Sequence, residues 1–329
     1  MRGKAAGLWL LCAIGALLLA LGAVRGEAAA PRELTIAVYS VPKEVYERKL
    51  IPAFLAQWKQ KTGQDVRIRG SYGASGAQAR AIIGGLEADV AALSVEGDLD
   101  QIVKAGLITH DWRTGARRGM VSASVVAIGV RRGNPKAIKT WEDLTKPGVQ
   151  VLYPNPKTSG GAMWDIIAIY GAALQGGKTA PQAAELVARI QNNVKVMDKS
   201  GRESVTTFER GVGDAIVTYE NELIPRVKSG RPYEIILPPQ TVLVENPASV
   251  VDRHADKHHV RDVAEAFVAY LQTDDAQRAF AEYGFRSVTD TPPAGVFTIA
   301  QLGGWHVAAD RLFGPQGVWT KTVESAEAP

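Results

Sequence analysis

The feature that most constrains this chain is a repeated alternation of short apolar runs with amphipathic helical stretches. Leu34 to Tyr39 reads as a strand, Glu44 to Thr62 as a helix, Asp65 to Arg69 as a strand, and Ala77 to Leu86 as a helix before the strand Asp89 to Leu93. The pattern resumes with the strands Ser124 to Val130 and Gln150 to Tyr153, the helices Ala162 to Leu174 and Pro181 to Asn192, and the strand Ala215 to Tyr219. Such alternation implies right-handed crossovers and a mainly parallel sheet covered on both faces. Helices at Val260 to Leu271 and Asp274 to Tyr283 follow, then a looser stretch ending Val318 to Pro329. Asn134-Pro135, Lys146-Pro147-Gly148 and Leu237-Pro238-Pro239 interrupt the pattern and read as hinges, where extended chain passes between two α/β units.

Ahead of the first strand, Arg2 and Lys4 precede a 20-residue apolar stretch from Ala5 to Val24 and a small-residue segment, Gly26 to Ala30. That order reads as a secretory signal peptide over 1–30, cleaved between Gly26 and Ala29. Cys12, the only cysteine, leaves with it. The remaining 299 residues then have no thiol nucleophile and no disulfide, and depend on an apolar core large enough for two lobes. Without residues 1–30 the formal net charge falls from +4 to +2. A nearly neutral chain with no basic stripe excludes a nucleic-acid partner, and no later apolar run reaches the length of a membrane span.

Three stretches share one layout, in which a strand ends, a Ser/Gly-rich turn follows and a helix begins: Ser71 to Gly76, Lys157 to Gly161, and Ser200 to Ser204. A helix start leaves backbone N–H groups unpaired and carries partial positive charge, so it holds anions once glycine lets the ligand approach. Serine adds a hydroxyl donor. In open α/β sheets these turns lie at the carboxyl ends of strands, where ligands bind. Each turn alone reads equally well as a serine N-cap with a permissive glycine. Three together point to an anion-binding protein of two lobes.

The stretch Asn155-Pro156-Lys157-Thr158-Ser159-Gly160-Gly161-Ala162-Met163-Trp164 closely resembles the signature of the periplasmic sulfate-binding proteins of ABC importers. Ile68 to Gly76, Leu86 to Val90, Arg131 to Lys136, Glu209 to Asp214, Phe297-Thr298 and Gly303-Gly304-Trp305 agree with that family in the same order. The resemblance covers essentially all of the chain after residue 30. It implies an α/β, type II periplasmic binding protein: two lobes, each a mainly parallel sheet flanked by helices, with the ligand in the interlobe cleft. Lobe I would take 31–122 plus 241–329, and lobe II 123–240. In this family the desolvated dianion is held by backbone amides, one serine hydroxyl and one indole N–H. Carried over by position, the amides are those of Ser40, Ser75, Gly160, Gly161 and Gly201, and the hydroxyl is that of Ser159. Tyr219 falls on the family's tryptophan, Ser40 on its usual aspartate, and Glu203 where it has a small residue. A phenol donates one hydrogen bond as an indole does, but it also accepts.

A site made only of donors rejects a protonated oxyanion, because the ligand's O–H finds no acceptor. Sulfate is therefore the expected ligand, with thiosulfate, molybdate, phosphate or arsenate as alternatives motivated by Tyr219 and Glu203. Glu203 is expected to point away along its first helical turn, and Arg202 to prop the loop or pair across the lobes. The resemblance further implies a monomeric periplasmic protein that serves a membrane permease of an ABC transporter, with no metal, cofactor or catalysis. The competing class is a sulfate- or phosphate-ester hydrolase. Ser75, however, lacks the Gly-x-Ser-x-Gly spacing because Ala77 stands at the second glycine, and no histidine neighbours a serine motif. Gly176-Gly177-Lys178-Thr179 imitates a phosphate-binding loop but has Ala172 where a glycine is required. The run Asp252, His254, Asp256, His258, His259 reads as a solvated loop, and the tryptophans at 58, 112, 141, 164, 305 and 319 as packing residues.

Overall fold

The computed structural model describes residues 31–115, 117–288 and 291–327. The stretch read as a signal peptide, with Cys12, lies outside them. Ten strands form one mixed sheet: β1 (Arg32–Tyr39), β2 (Val66–Gly73), β3 (Val90–Ala92), β4 (Met120–Arg131), β5 (Val151–Leu152), β6 (Val194–Val196), β7 (Ala215–Tyr219), β8 (Tyr233–Ile236), β9 (Thr241–Val250) and β10 (Val296–Phe297). Their order is β2-β1-β3-β9-β4-β7-β5-β6, with β8 beside β4 and β10 beside β9.

Two long strands organise the rest. β9 runs antiparallel to β3 through Ala248–Val250 and to β4 through Leu243–Pro247. β4 then leaves β9 and runs antiparallel to β7 and β8 through Val126–Arg131. The alternation of strands and helices marks the strands of two parallel pairs, β1 with β3 and β5 with β7, but not β6, which also runs parallel to β5. It misses β9 altogether, so the sheet is mixed rather than mainly parallel. Nearly every residue of β4 is buried, Ser122 and Ser124 among them, so the strand lacks the alternation of a half-exposed strand.

The chain passes between the two halves of the sheet inside β4, at Val125/Val126, and again between β8 and β9 at Leu237-Pro238-Pro239. Asn134-Pro135 and Lys146-Pro147-Gly148 instead form turns within one half. A strand can exchange its pairing partner midway without any turn residue, so this crossing carries no punctuation in the sequence.

The helices are α1 (Ile51–Thr62), α2 (Ser75–Ile83), α3 (Glu96–Lys104), α4 (Gly160–Gln175), α5 (Ala180–Gln191), α6 (Gly201–Glu209), α7 (Glu220–Lys228), α8 (Asp252–Lys257), α9 (Arg261–Leu271), α10 (Asp274–Glu282), α11 (Trp305–Phe313) and α12 (Val318–Glu327). A π-helical turn, Tyr46–Leu50, leads into α1, which ends at Gly63 with φ 73°, a left-handed stop that glycine adopts without strain. α4 is buried along almost its whole length against the sheet. The Gly176-Gly177-Lys178-Thr179 segment ends α4 and starts α5, where Thr179 and Gln182 form a capping box.

Two readings from sequence change. The C-terminal stretch is not loose: Trp305, Ala308 and Leu312 of α11 and Trp319 and Val323 of α12 are buried at helical spacing. The Asp252 run is a helix start rather than a solvated loop. The Asp252 side chain is 3% exposed, accepts the Thr109 N–H at 2.6 Å, and meets His110 and Arg261, each at 2.7 Å. Among the described residues, no group of three or more candidate metal ligands gathers and no helix is long and apolar enough to cross a membrane.

Candidate anion-binding site

The N-termini of α2, α4 and α6 converge on one small cavity, with the carboxyl ends of β1 and β7 closing its sides. Ser40, Ser75, Ser159, Gly161, Gly201 and Tyr219 line it, so the structure gathers six of the seven residues named from sequence. Gly160, the residue before Gly161, is not among the lining residues and packs against Ser94 and Val95. A Cβ there would lie 3.0 Å from Ser94 Cβ and 3.1 Å from Ser94 Oγ, so glycine at 160 lets α4 approach β3.

Local sequence dictates how each donor is aimed. Ser159 is the N-cap of α4, its Oγ accepting the Ala162 N–H at 3.3 Å. That contact uses an oxygen lone pair and leaves the hydroxyl proton to donate into the cavity. Ser200 caps α6 in the same way, accepting from Glu203 N–H at 3.3 Å, and so presents the free amide of Gly201. A Cβ on Gly161 would lie 3.4 Å from Ser159 Oγ and 3.8 Å from Tyr219 Oη, inside the space a ligand would use. Ser75 differs. Its hydroxyl donates to Asp98 Oδ2 at 2.5 Å and accepts Ser94 N–H at 2.8 Å, so only its amide remains for a ligand.

No lysine, arginine or histidine lines the cavity. Arg202 turns outward, donating to the Val41 carbonyl at 2.8 Å and Glu222 Oε1 at 3.0 Å and pairing with Glu44, which ties the two halves of the sheet together. Glu203 also points away: its Oε2 accepts the Lys199 N–H at 3.2 Å, completing a capping-box-like turn. Other bonds shut the cleft. Gly76 N–H donates to the Thr158 carbonyl at 3.1 Å, Trp164 Nε1 donates to the Ser94 carbonyl at 2.9 Å, and Ser94 Oγ meets Tyr219 Oη at 2.6 Å. Burial pushes the Tyr219 phenol well above its ordinary range, so it keeps its proton.

Residues 34–286 match the family model described as bacterial extracellular solute-binding protein. The chain belongs to that family. It is 44% identical over 318 residues to the sulfate-binding protein of Synechococcus elongatus, covering 92% of this chain and 89% of that one. It is 38% identical to the thiosulfate-binding protein of Pseudomonas aeruginosa, covering 79% and 80%. Among solved structures, the sulfate-binding protein SubI from Mycobacterium tuberculosis superposes with a TM-score of 0.79 at 38% identity, over 86% of this chain and 99% of that one. The resemblance carried by Asn155 to Trp164 thus extends over the whole fold.

Sequence reading of this solute-binding protein missed the residues that support its cavity. Ser94, just past β3, touches Ser75, Trp164, Tyr219 and Asn246. Asn246 in turn accepts from Tyr39 Oη at 2.9 Å and Ser122 Oγ at 3.2 Å. Only its place at the carboxyl end of a strand marks Ser94 beforehand. Asp98, pushed up to about 6 by burial although the Ser75 hydroxyl favours its ionised form, and Asp165, which lines the cavity itself, carry no motif.

Proposed function

We propose that this protein binds sulfate in the cavity, as a non-catalytic periplasmic monomer that presents the closed complex to the permease of an ABC importer. The observation that carries the reading is the convergence of three helix N-termini and the Ser159 and Tyr219 hydroxyls on one enclosed space that no cationic side chain enters. Uncharged, preorganised donors suit a small anion that must be both desolvated and released. The sulfate-binding names of relatives at 38–44% identity support the choice of anion. Residues 31–122 with 241–329 would form one lobe and 123–240 the other, and the amides of Ser40, Ser75, Gly160, Gly161 and Gly201 would act with the two hydroxyls. Seven charge-assisted hydrogen bonds at about 1.5–3 kcal/mol each exceed the roughly 8 kcal/mol that micromolar binding requires, which leaves a margin for ordering and closure. Closure is favoured because only the closed form brings donors of both lobes to one ion.

Thiosulfate is the second reading, favoured by the thiosulfate-binding relatives. Glu203 gives no support to phosphate or arsenate, because its carboxylate is occupied by Lys199 N–H. Equilibrium dialysis with labelled sulfate against unlabelled thiosulfate, molybdate, phosphate and arsenate decides between them. Displacement by sulfate at lower concentration than by any competitor supports the reading; retention of no sulfate, or stronger displacement by thiosulfate, contradicts it.

A further inference from the structure

Asp165 is the one acidic side chain in the cavity lining, and neither its sequence context nor the donor-only reading accounts for it. It lies four residues after Gly161 on α4, so the two share a helix face one turn apart. The residue is 1% exposed, and its Oδ1 is buried without a hydrogen-bond partner. A buried carboxyl is normally paired, and one left bare beside a cavity is placed to meet whatever enters it. An ionised carboxylate facing a dianion in a dry space would be strongly repelled. The conflict disappears if the carboxyl carries a proton, for it then becomes a donor like every other group around the ligand.

We propose that Asp165 is a further ligand-contacting residue, a neutral carboxylic acid that donates to an oxygen of bound sulfate and makes binding depend on proton uptake. The inference rests on the sulfate reading given above. The step balances simply: one proton from solvent joins the Asp165 carboxylate as sulfate enters, the pair keeps its dianionic charge, and no bond of the ligand breaks. Burial alone holds the Asp165 carboxyl well above the ordinary carboxylate range, with no cation opposing it. The titratable groups that face it are the phenols of Tyr219, on β7, and Tyr153, just past β5, both buried and both protonated. Tyr39, from β1, lines the same cavity.

The test is calorimetric titration of the full-length protein with sodium sulfate from pH 5 to pH 9, repeated in buffers of differing ionisation heat, for wild type, Asp165→Asn and Asp165→Leu. Wild-type affinity is expected to fall as pH rises, approaching tenfold per unit once Asp165 ionises in the free protein, with about one proton taken up per sulfate there. Asp165→Asn, whose amide also donates, should bind with a flat profile; Asp165→Leu should be flat and about tenfold weaker at pH 5, with a melting curve showing it folded. Wild-type binding that is tight, flat from pH 5 to pH 9 and unchanged by either substitution overturns the role of Asp165 while leaving the sulfate reading intact. Absence of sulfate binding at every pH overturns that reading as well. Phosphate binding by wild type that Asp165→Asn abolishes would put the carboxylate in an acceptor role and overturn the donor assignment.

Discussion

At the scale of single residues, the cavity is built from groups whose second contacts are already spent. Ser159 gives its lone pair to α4 and Ser75 gives its hydroxyl to Asp98, so what each offers a ligand is fixed before the ligand arrives. Asp98 bears the cost of that fixing. Its carboxyl is pushed up from the ordinary value near 4 to about 6 by burial, so the folded state binds its proton more tightly than the unfolded chain does. The resulting penalty is absent below about pH 4, grows as pH rises, and is complete above about pH 6, where two units amount to about 3 kcal/mol. Asp98→Asn should therefore raise the urea midpoint at pH 7 and give little gain at pH 4; an equal gain at both pH values would contradict this. Ser75, Ser159, Gly161 and Gly201 were legible as Ser/Gly-rich helix starts, whereas Ser40 and Tyr219 were reached only through the family resemblance. Ser94 and Asp165 were not legible, since their roles depend on which neighbours they find or lack, and spacing along the chain does not encode that.

At the scale of elements, short apolar runs and amphipathic stretches located several strands and helices, fully buried β7 among them. β1, α5 and β7 fall where the pattern places them. It found only the second half of β4, Ser124 to Val130, and missed β9, whose residues are nearly all buried, and α8, where polar residues suggested a loop although they pair inward. Asp252 at the start of α8 has its carboxyl held well below the ordinary range: burial pushes it up, but the Thr109 N–H, His110 and Arg261 together outweigh that. A depressed acid contributes stability in full above about pH 4 and loses it as pH falls through the depressed value. Asp252→Asn is expected to lower the melting temperature clearly at pH 7, with the gap to wild type narrowing steadily below pH 4. A gap that stays constant down to pH 2 would show that packing, and not charge, holds this helix start.

At the scale of the whole molecule, β4 runs from one half of the sheet into the other, the chain returns between β8 and β9, and the cavity lies where the halves meet. The cleft is shut by a backbone bond, Gly76 to Thr158, by the Ser94–Tyr219 hydroxyl pair, and by Arg202 reaching the Val41 carbonyl and Glu44. Arg202 does not itself line the cavity, and its side chain bridges the two halves through Val41 and Glu44. Arg202→Met should weaken sulfate binding about tenfold, consistent with losing roughly 1–2 kcal/mol of charge-assisted contacts made only in the closed form. Sulfate affinity unchanged in this variant would mean that the Arg202 bridge does not favour the closed form. Ser159→Ala bears more directly on the central claim, because it removes one donor hydroxyl and leaves the shape of the cavity intact. Calorimetric titration with sulfate at pH 6 should give one site per chain in wild type and affinity about 10- to 150-fold weaker in Ser159→Ala, matching a charge-assisted bond of about 1.5–3 kcal/mol. Equal affinity in the two proteins, or no sulfate heat in either, would contradict the placement of the anion at the start of α4.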